Sequence, residues 1–392
     1  MSHALSRMSL KGIVTWAEID LDAIAQNVAA YKRHVGEKVK VIAVVKANAY
    51  GHGAAPVAQA ALQAGAEWLA VHRAIEGVEL RKAGFAAPIL IMGYTPPDGA
   101  ELIANWRLTP SLMTLEFAQA LSAQASTHGL EVPVHIKVDS GMSRYGLMPD
   151  EVVDFLRALS QLPGLRLEGL FTHFATADWA DPSHTLEQLR VFNGARQAAQ
   201  EAGFSFSMVH AANSAAAMRL PEAYFDAVRP GIALYGLDPS SEWPPVFEIH
   251  PALSLKSTVS RVRMLAAGAG VSYSRTYITS KPTLAALVPV GYGDGFHRIL
   301  SNQGNVLIRG RRAPILGRVC MDQIVVDASA IPEVQQDDEV VLIGQQGEGR
   351  IRAEEVAKLA GTINYEVTTS LLPRVARVYL RGGEVVQVQS IG

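Results

Sequence analysis

Segments that read as β-strands alternate with segments that read as α-helices through the first 235 residues of this 392-residue chain. Short apolar, β-branched runs indicate the strands, and amphipathic stretches that end at glycines indicate the helices. About eight strands follow one another in this way, which predicts a (β/α)8 barrel of the TIM type in the α/β class. The predicted strands are the run that ends at Lys46 and residues 67–71, 88–92, 108–113, 132–138, 165–172, 206–210 and 227–234. The predicted helices are residues 54–64, 76–83, 98–105, 115–128, 151–159, 185–202 and 214–220, after an earlier one that starts at Leu21 with Asp20 as its N-cap.

The pattern changes after residue 251. Residues 239–251 are rich in proline and serine and are expected to form a linker. Strand-like runs then follow one another without helices between them, except for a helical segment over residues 352–360 and a hairpin-type turn at Gly344–Gly349. We therefore predict two domains, a barrel over residues 1–240 and a mostly antiparallel β domain over residues 251–392. The strands expected in the second domain are residues 257–264, 284–290, 306–308, 324–326, 339–343 and 375–380.

Composition excludes several classes of partner. Thirty-five basic and 37 acidic side chains leave a net charge of −2, which gives no reason to expect binding to nucleic acid or to an anionic membrane. The single cysteine, Cys320, cannot form a disulfide within the chain and fits a reducing compartment. No apolar run approaches the roughly 18 residues of a membrane span, and the N-terminus lacks the apolar core of a secretory signal. We therefore expect a cytoplasmic protein, with no metal.

The most unusual of the predicted strands is the one that ends at Lys46. Five apolar residues, Val41–Val45, precede the lysine, and a charged group is costly beside a buried strand. Tyr50, Gly51 and Gly53 follow in a turn with an exposed backbone, which is a favourable shape for binding a phosphate. A lysine at a strand end most often extends to water. A desolvated lysine beside an anion-binding turn is also what an enzyme needs to form a Schiff base with an aldehyde cofactor.

Further polar residues follow the other predicted strands. In a (β/α)8 barrel the carboxyl ends of the strands meet at one mouth, where the chemistry takes place. Each residue also has a simpler interpretation: an interior histidine at 173, helix capping at 213 and 214, and a surface ion pair at 229. Several such residues at one mouth favour a functional site. The segments concerned are Lys137–Arg144, Thr172–His173, His210–Ser214 and Arg229–Ile232.

Residues 44–53, with the sequence VVKANAYGHG, resemble the pyridoxal phosphate attachment motif of alanine racemases. The resemblance runs from Trp16 to about Arg377. It implies a barrel followed by a β domain, with pyridoxal phosphate as cofactor. It also implies a homodimeric isomerase that interconverts L-alanine and D-alanine by a two-base mechanism and supplies D-alanine for peptidoglycan.

The resemblance also implies roles for individual residues, carried over by matching motifs. Lys46 is similar to the lysine that binds the cofactor aldehyde, and Arg229, supported by His173, to the arginine that donates to the pyridine nitrogen. Arg144 matches an arginine near the substrate carboxylate, and Lys137 matches a lysine that is carbamylated in some relatives. The residues expected to bind the cofactor phosphate or to flank it are Tyr50, Asn213, Ser214, Gly231, Ile232 and Tyr365.

The β domain carries the second group of matching residues. Tyr273 is similar to the tyrosine that acts with the lysine as the second base. Tyr292 matches a tyrosine at the active-site entrance, and Met321 and Asp322 match a pair of which the methionine N–H binds the substrate carboxylate. In this family these four residues come from the other subunit, so the resemblance implies active sites shared across a homodimer.

Three functions of other classes compete with this interpretation, and racemases of serine, lysine or arginine would differ from it only in the size of the substrate pocket. Pyridoxal phosphate-dependent amino-acid decarboxylases share the architecture, but they pair the pyridine nitrogen with a glutamate and bind phosphate with a triple-glycine loop. This chain has Arg229 in the first place and no Gly-Gly-Gly sequence. A non-catalytic barrel that handles the cofactor would end near residue 240. A barrel that is only a binding module would leave the sequestered Lys46 unexplained.

Overall fold

The computed structural model describes residues 11–390. Over this range the chain forms two compact units. The barrel unit consists of Ile24–Ala49 and Ala54–His250. The β unit consists of the described residues up to Ala23, the short segment Tyr50–Gly53, and the described residues from Pro251 onward. Strand β1 (Thr15–Asp20) opens the β unit.

The barrel unit contains a closed barrel of eight parallel strands, which confirms the predicted (β/α)8 fold. Each strand pairs with the next, and the last closes on the first through Lys40 and Ala227. The strands are β2 (Lys40–Val44), β3 (Trp68–Val71), β4 (Ile89–Ile91), β5 (Thr109–Leu112), β6 (Val132–Lys137), β7 (Leu165–Phe171), β8 (Met208–His210) and β9 (Ala227–Val228). The α-helices that begin before and between them are Leu21–Val35, Ala54–Gln63, Ala74–Lys82, Ala100–Asn105, Leu115–Thr127, Val152–Leu159, Ser183–Glu201 and Ser214–Arg219.

The eighth barrel strand is shorter than predicted. The sequence suggested a strand over residues 227–234, but β9 ends at Val228. Pro230 has no N–H to donate to a neighbouring strand, and Gly231 adopts φ −121° and ψ −92°, outside the extended range. The chain then forms a 3-10 turn over Ile232–Tyr235.

The β unit is mostly antiparallel, as predicted, and contains sheets of eight, three and two strands. Its two α-helices among the described residues are Ala353–Ala360, which was predicted, and Asn364–Thr369, which was not. The turn at Gly344–Gly349 is a hairpin, in which Gln346 pairs with Gly349. The strands are β10 (Leu253–Thr258), β11 (Arg261–Leu265), β12 (Gly270–Val271), β13 (Tyr277–Ile278), β14 (Thr283–Val288), β15 (Asn305–Ile308), β16 (Arg311–Pro314), β17 (Ile324–Asp327), β18 (Glu339–Gln346), β19 (Gly349–Ile351), β20 (Ala376–Arg381) and β21 (Glu384–Gln389).

Two features of the β unit differ from the sequence expectations. The run over residues 257–264 is two strands, because β10 pairs with β18 in the large sheet whereas β11 pairs with β14 in the small one. The predicted barrel domain began at residue 1, but β1 lies between β10 and β20 in the large sheet. β1 pairs antiparallel with β10, with Thr15 opposite Ser257 and Ile19 opposite Leu253, and residues 15–19 are buried. Within residues 11–390, no helix is both long and apolar enough to cross a membrane.

Candidate active site

The site begins with an unusual turn directly after β2. Residues 47–50 all have left-handed backbone angles, with φ between 52° and 53°, although none of them is glycine. This conformation costs alanine and tyrosine about 1–2 kcal/mol each relative to the right-handed one, whereas the asparagine at position 48 tolerates it better. The turn is closed by a hydrogen bond of 2.9 Å from the Ala49 N–H to the Val45 carbonyl. Lys46 therefore stands where an extended strand changes abruptly into a left-handed turn.

Glu76 anchors this turn, and no motif in the sequence pointed to it. Its Oε1 accepts the Ala47 N–H at 2.6 Å, while its Oε2 accepts the N–H groups of His72 and Arg73 at 2.8 Å each. Glu76 lies in the first turn of the helix Ala74–Lys82, where an acidic residue is favourable. One carboxylate thus ties the residue after Lys46 to the end of β3.

Burial and the positive charges of the barrel unit lower the pKa values of two of its lysines, Lys46 and Lys137. Burial and the nearby Arg144 lower the pKa of Lys46, although Glu76 acts in the opposite direction. Burial, followed by Arg229, Arg144 and Lys46, lowers the pKa of Lys137 to about 7. Both amines therefore have a larger neutral, nucleophilic fraction near pH 7 than an exposed lysine would have.

Lys137 ends β6 and is almost fully buried. Its ammonium donates to the Met92 carbonyl at 3.2 Å and lies 5.5 Å from the ring centroids of both Tyr145 and Phe171. Arg144 is exposed in the loop that follows. The Asp139 carboxylate shapes that loop by accepting the backbone N–H groups of Gly141, Met142, Ser143 and Arg144.

Arg229 is the most deeply buried cation of the site, with 2% of its surface exposed. One terminal nitrogen, Nη1, lies 2.7 Å from His210 Nδ1. The other, Nη2, donates to the carbonyls of Thr172 at 2.7 Å and Ala211 at 3.0 Å and lies 3.2 Å from His173 Nδ1. Burial lowers the pKa of Arg229 to about 9, so the guanidinium remains charged at neutral pH.

A chain of hydrogen bonds leads away from Arg229. Because a guanidinium can only donate, His210 must accept at Nδ1 and carry its proton on Nε2. That nitrogen lies 2.9 Å from His135 Nδ1, and His135 Nε2 lies 3.3 Å from the Glu168 carboxylate. Burial opposes ionisation of Glu168, but hydrogen bonds from His135 and Arg166 keep its pKa below the usual value. Sequence reasoning missed His135 and Glu168, which lie inside strands and follow no motif.

The imidazoles of this network are neutral. Burial and the charge of Arg229 hold the pKa values of His173 and His210 well below the usual value for histidine, and burial lowers that of His135. Arg229 is therefore surrounded by acceptors without an anion in direct contact. Its Nε is buried and has no hydrogen-bond partner among residues 11–390.

The remaining predicted residues of the barrel unit lie after β8 and β9. Asn213 caps the helix Ser214–Arg219, since its Oδ1 accepts the Ala216 N–H at 3.0 Å. Ser214 does not share this capping role. Its hydroxyl accepts the Gly231 N–H at 2.8 Å, which connects the two strand ends and leaves the hydroxyl proton available to another acceptor. Ile232 follows and is buried.

The other predicted residues belong to the β unit. The rings of Tyr50 and Tyr365 lie 6.1 Å apart between centroids. Tyr273, Tyr292 and Met321 are exposed in the single chain, with 72%, 40% and 53% of their surfaces accessible. Asp322 is exposed as well. Among residues 11–390, no group of three or more histidine, cysteine, aspartate or glutamate side chains is arranged to bind a metal ion.

The chain matches two family models over nearly its whole length. Residues 19–239 match the alanine racemase N-terminal domain, and residues 252–379 match the alanine racemase C-terminal domain. Among similar proteins, the alanine racemase of Halothermothrix orenii is 44% identical over 365 residues, covering 93% of this chain and 96% of the relative. The alanine racemase of Symbiobacterium thermophilum is 46% identical over 380 residues, covering 96% and 100%.

Solved structures of alanine racemases are also similar to this chain. A crystal structure of alanine racemase from Bacillus anthracis with bound L-Ala-P is 42% identical to this chain. The two align with a TM-score of 0.91 over 95% of this chain and 97% of that one. An alanine racemase structure from Clostridium difficile 630 aligns with a TM-score of 0.92 at 40% identity, covering 96% of this chain and 98% of that one. The chain therefore belongs to the alanine racemase family, the isomerases that interconvert L-alanine and D-alanine.

Proposed function

We propose that this chain racemises alanine with pyridoxal phosphate held at the mouth of the barrel, using Lys46 and Tyr273 as the two bases. The observation that carries the proposal is the presence, in the same barrel unit, of a desolvated lysine amine and of a buried arginine whose Nε has no partner among the described residues. These two groups match the aldehyde and the ring nitrogen of the cofactor, respectively.

The donor groups of the barrel unit fit this cofactor. The unpartnered Nε–H of Arg229 needs an acceptor, and a neutral pyridine nitrogen is one. The Ser214 hydroxyl and the backbone of Gly231 and Ile232 would hold the phosphate, next to the cap residue Asn213. The cofactor supplies an aldehyde for an amine and a conjugated ring that withdraws electrons from the α-carbon. We also assign Tyr50 and Tyr365 to the phosphate, on the family motif alone.

Lys46 acts at one face of the substrate and Tyr273 at the other. The lowered pKa of Lys46 allows its Nζ to remove the α-proton near neutral pH, and the hydrogen bond from Ala47 to Glu76 fixes the start of the turn that carries it. The Tyr273 hydroxyl returns a proton from the opposite face, and the two groups exchange roles in the reverse direction. Inversion needs both groups because a single base would have to cross the plane of the substrate.

Arg229 restricts the chemistry by keeping its own protons. With a pKa of about 9 it donates a hydrogen bond at neutral pH but does not transfer a proton. The neutral histidines 173 and 210 accept from the same guanidinium and hold its plane in one orientation. We propose that this arrangement favours return of the proton to the α-carbon over competing reactions.

Arg144 and Lys137 are assigned to the substrate side. Arg144 would bind the substrate carboxylate. Lys137, with a pKa of about 7, has the neutral amine needed to attack carbon dioxide. In that step the neutral amine forms an N–C bond as one C–O π bond of carbon dioxide breaks, and loss of one proton from nitrogen leaves a carbamate anion, which would pair with Arg144.

We further propose that the functional unit is a homodimer in which Tyr273, Tyr292, Met321 and Asp322 reach the active site of the partner. The exposure of these four residues in the single chain supports this proposal. The proposed setting is the cytoplasm, where the product D-alanine would serve peptidoglycan synthesis.

Incubation of the purified protein with single L-amino acids in deuterated water tests the proposal. We expect alanine to lose its α-proton signal in the NMR spectrum while its optical rotation falls to zero, because inversion and exchange share one proton-transfer step. Release of carbon dioxide without inversion would instead indicate a decarboxylase, and absence of both would contradict the proposed activity.

A further inference from the structure

The glycine-rich segment Gly291–Gly295 is packed too closely for side chains at three of its positions. An added Cβ would approach neighbouring atoms to well under 3.0 Å at each of them. This segment therefore serves to bring other parts of the β unit together, a role that its glycine spacing did not reveal. The added Cβ would lie 2.2 Å from the Cys320 carbonyl oxygen at Gly291, 2.7 Å from Arg374 Nη2 at Gly293, and 2.1 Å from the Ser370 carbonyl oxygen at Gly295.

Arg374 connects the glycine-rich segment to the pair Met321 and Asp322. Its Nε and Nη2 donate to the two carboxylate oxygens of Asp294 at 2.7 and 3.0 Å. Its Nη1 donates to Asp322 at 2.8 Å, and Nη2 also reaches the Met321 carbonyl at 3.2 Å. Asp294 is buried and additionally accepts the Gly291 N–H at 2.8 Å. One guanidinium thus makes four contacts, a geometry that lysine cannot reproduce.

Backbone hydrogen bonds from the glycine-rich segment orient the peptide group that joins Cys320 to Met321. The Tyr292 N–H donates to the Cys320 carbonyl at 3.0 Å, and the Gly293 N–H donates to the Met321 carbonyl at 2.8 Å. No cis peptide bond is found in the described chain, so the Met321 N–H points opposite to the Cys320 carbonyl. The Met321 N–H is therefore directed away from the glycine-rich segment.

We propose that Arg374 and Asp294 are positioning residues, which fix the Met321 N–H, Asp322 and Tyr292 in the arrangement that binds the substrate carboxylate. This inference rests on the proposed roles of Tyr292, Met321 and Asp322. Neither Arg374 nor Asp294 needs to touch the substrate. Their effect is to hold in advance a donor that would otherwise have to be ordered when alanine binds.

Steady-state kinetics of the holoenzyme variant Arg374→Ala test the inference. We expect KM for alanine to rise about tenfold or more while kcat changes less than about threefold. The reason is that the lost donor would bind the substrate carboxylate equally in the ground state and in the transition state. Low millimolar guanidinium should bring the KM of Arg374→Ala part of the way back to the wild-type value. The KM of Arg374→Lys should lie between those of the wild type and Arg374→Ala. The matched control is Arg312→Ala, which removes another two-pronged contact, with Glu355 and the Arg350 carbonyl, in the same unit.

Calorimetric binding of propionate, a carboxylate that cannot react, gives a readout that does not depend on turnover. We expect weaker propionate binding in Arg374→Ala and unchanged binding in Arg312→Ala. Wild-type KM and propionate affinity in both Arg374 variants would overturn the positioning role. The role would also be overturned if Arg374→Lys lost as much kcat as Arg374→Ala and guanidinium did not rescue Arg374→Ala. If the wild-type enzyme itself does not racemise alanine, the proposed function fails instead.

Discussion

At the scale of single residues, Lys137 shows how the site works against the stability of the fold. Its pKa of about 7 compares with 10.5 for an ordinary lysine, because burial and then Arg229, Arg144 and Lys46 disfavour its charged form. Between pH 7 and 10.5 the unfolded chain therefore binds more protons at this position than the folded chain does. Stability must rise with pH across this window, and the full penalty is present below pH 7.

Replacement of Lys137 by methionine should remove this pH dependence. We expect the variant to be more stable than the wild type by a few kcal/mol at pH 7, and this difference to shrink as the pH approaches 10. Urea unfolding at several pH values, in buffer free of carbon dioxide, measures the difference. A gap that stays constant from pH 7 to pH 10 would mean that Lys137 keeps an ordinary pKa.

The residues that the sequence revealed and those it did not differ in a physical way. Lys46 was proposed because a charge directly after a buried strand is unusual and because the family motif surrounds it, and Arg229 was proposed because it falls on the eighth predicted strand and matches a family residue. His135 and Glu168 could not, because one faces the barrel interior and the other pairs with it across neighbouring strands. Arg374 was missed because its partners lie 52 and 80 positions earlier in the chain.

At the scale of secondary-structure elements, periodicity predicted the barrel but not its exceptions. Each barrel strand and helix carries its own apolar pattern, so local sequence was sufficient. The left-handed turn at residues 47–50 has no such pattern, since alanine and tyrosine, three of its four residues, do not favour positive φ. The segment Tyr50–Gly53 that follows it packs within the β unit, where Arg377 donates to the Gly51 carbonyl at 3.3 Å.

Gly53 provides a test of how closely this segment is packed. Its φ is +97°, and an added Cβ would lie 1.8 Å from the hydroxyl oxygen of the buried Tyr379. Gly84 has a similar φ of +90° but no atom within 4 Å of the added Cβ. We expect Gly84→Ala to cost about 1 kcal/mol from backbone strain, and Gly53→Ala about 2–4 kcal/mol because the clash is added. Equal costs in urea unfolding would show that Tyr379 moves aside freely.

At the scale of the whole molecule, we propose that each active site is built from two chains. In this proposal the barrel unit would supply the amine of Lys46, the buried guanidinium of Arg229 and the hydroxyl of Ser214. The proposed second base, Tyr273, and Met321, which with Arg144 of the barrel unit would bind the substrate carboxylate, lie on the β unit and are exposed in the single chain. A dimer of two chains with the same defect would then contain no complete site. A dimer of two chains with different defects can contain one complete site.

Mixing the variants Lys46→Ala and Tyr273→Phe tests this central claim most directly. Each variant alone should be unable to racemise alanine. After the two are dissociated and reassociated together, every mixed dimer should contain one site with both bases and one site with neither. We expect about a quarter of the wild-type rate from a random one-to-one mixture. No recovered activity, although mixed dimers form, would contradict a site built from Lys46 of one chain and Tyr273 of the other.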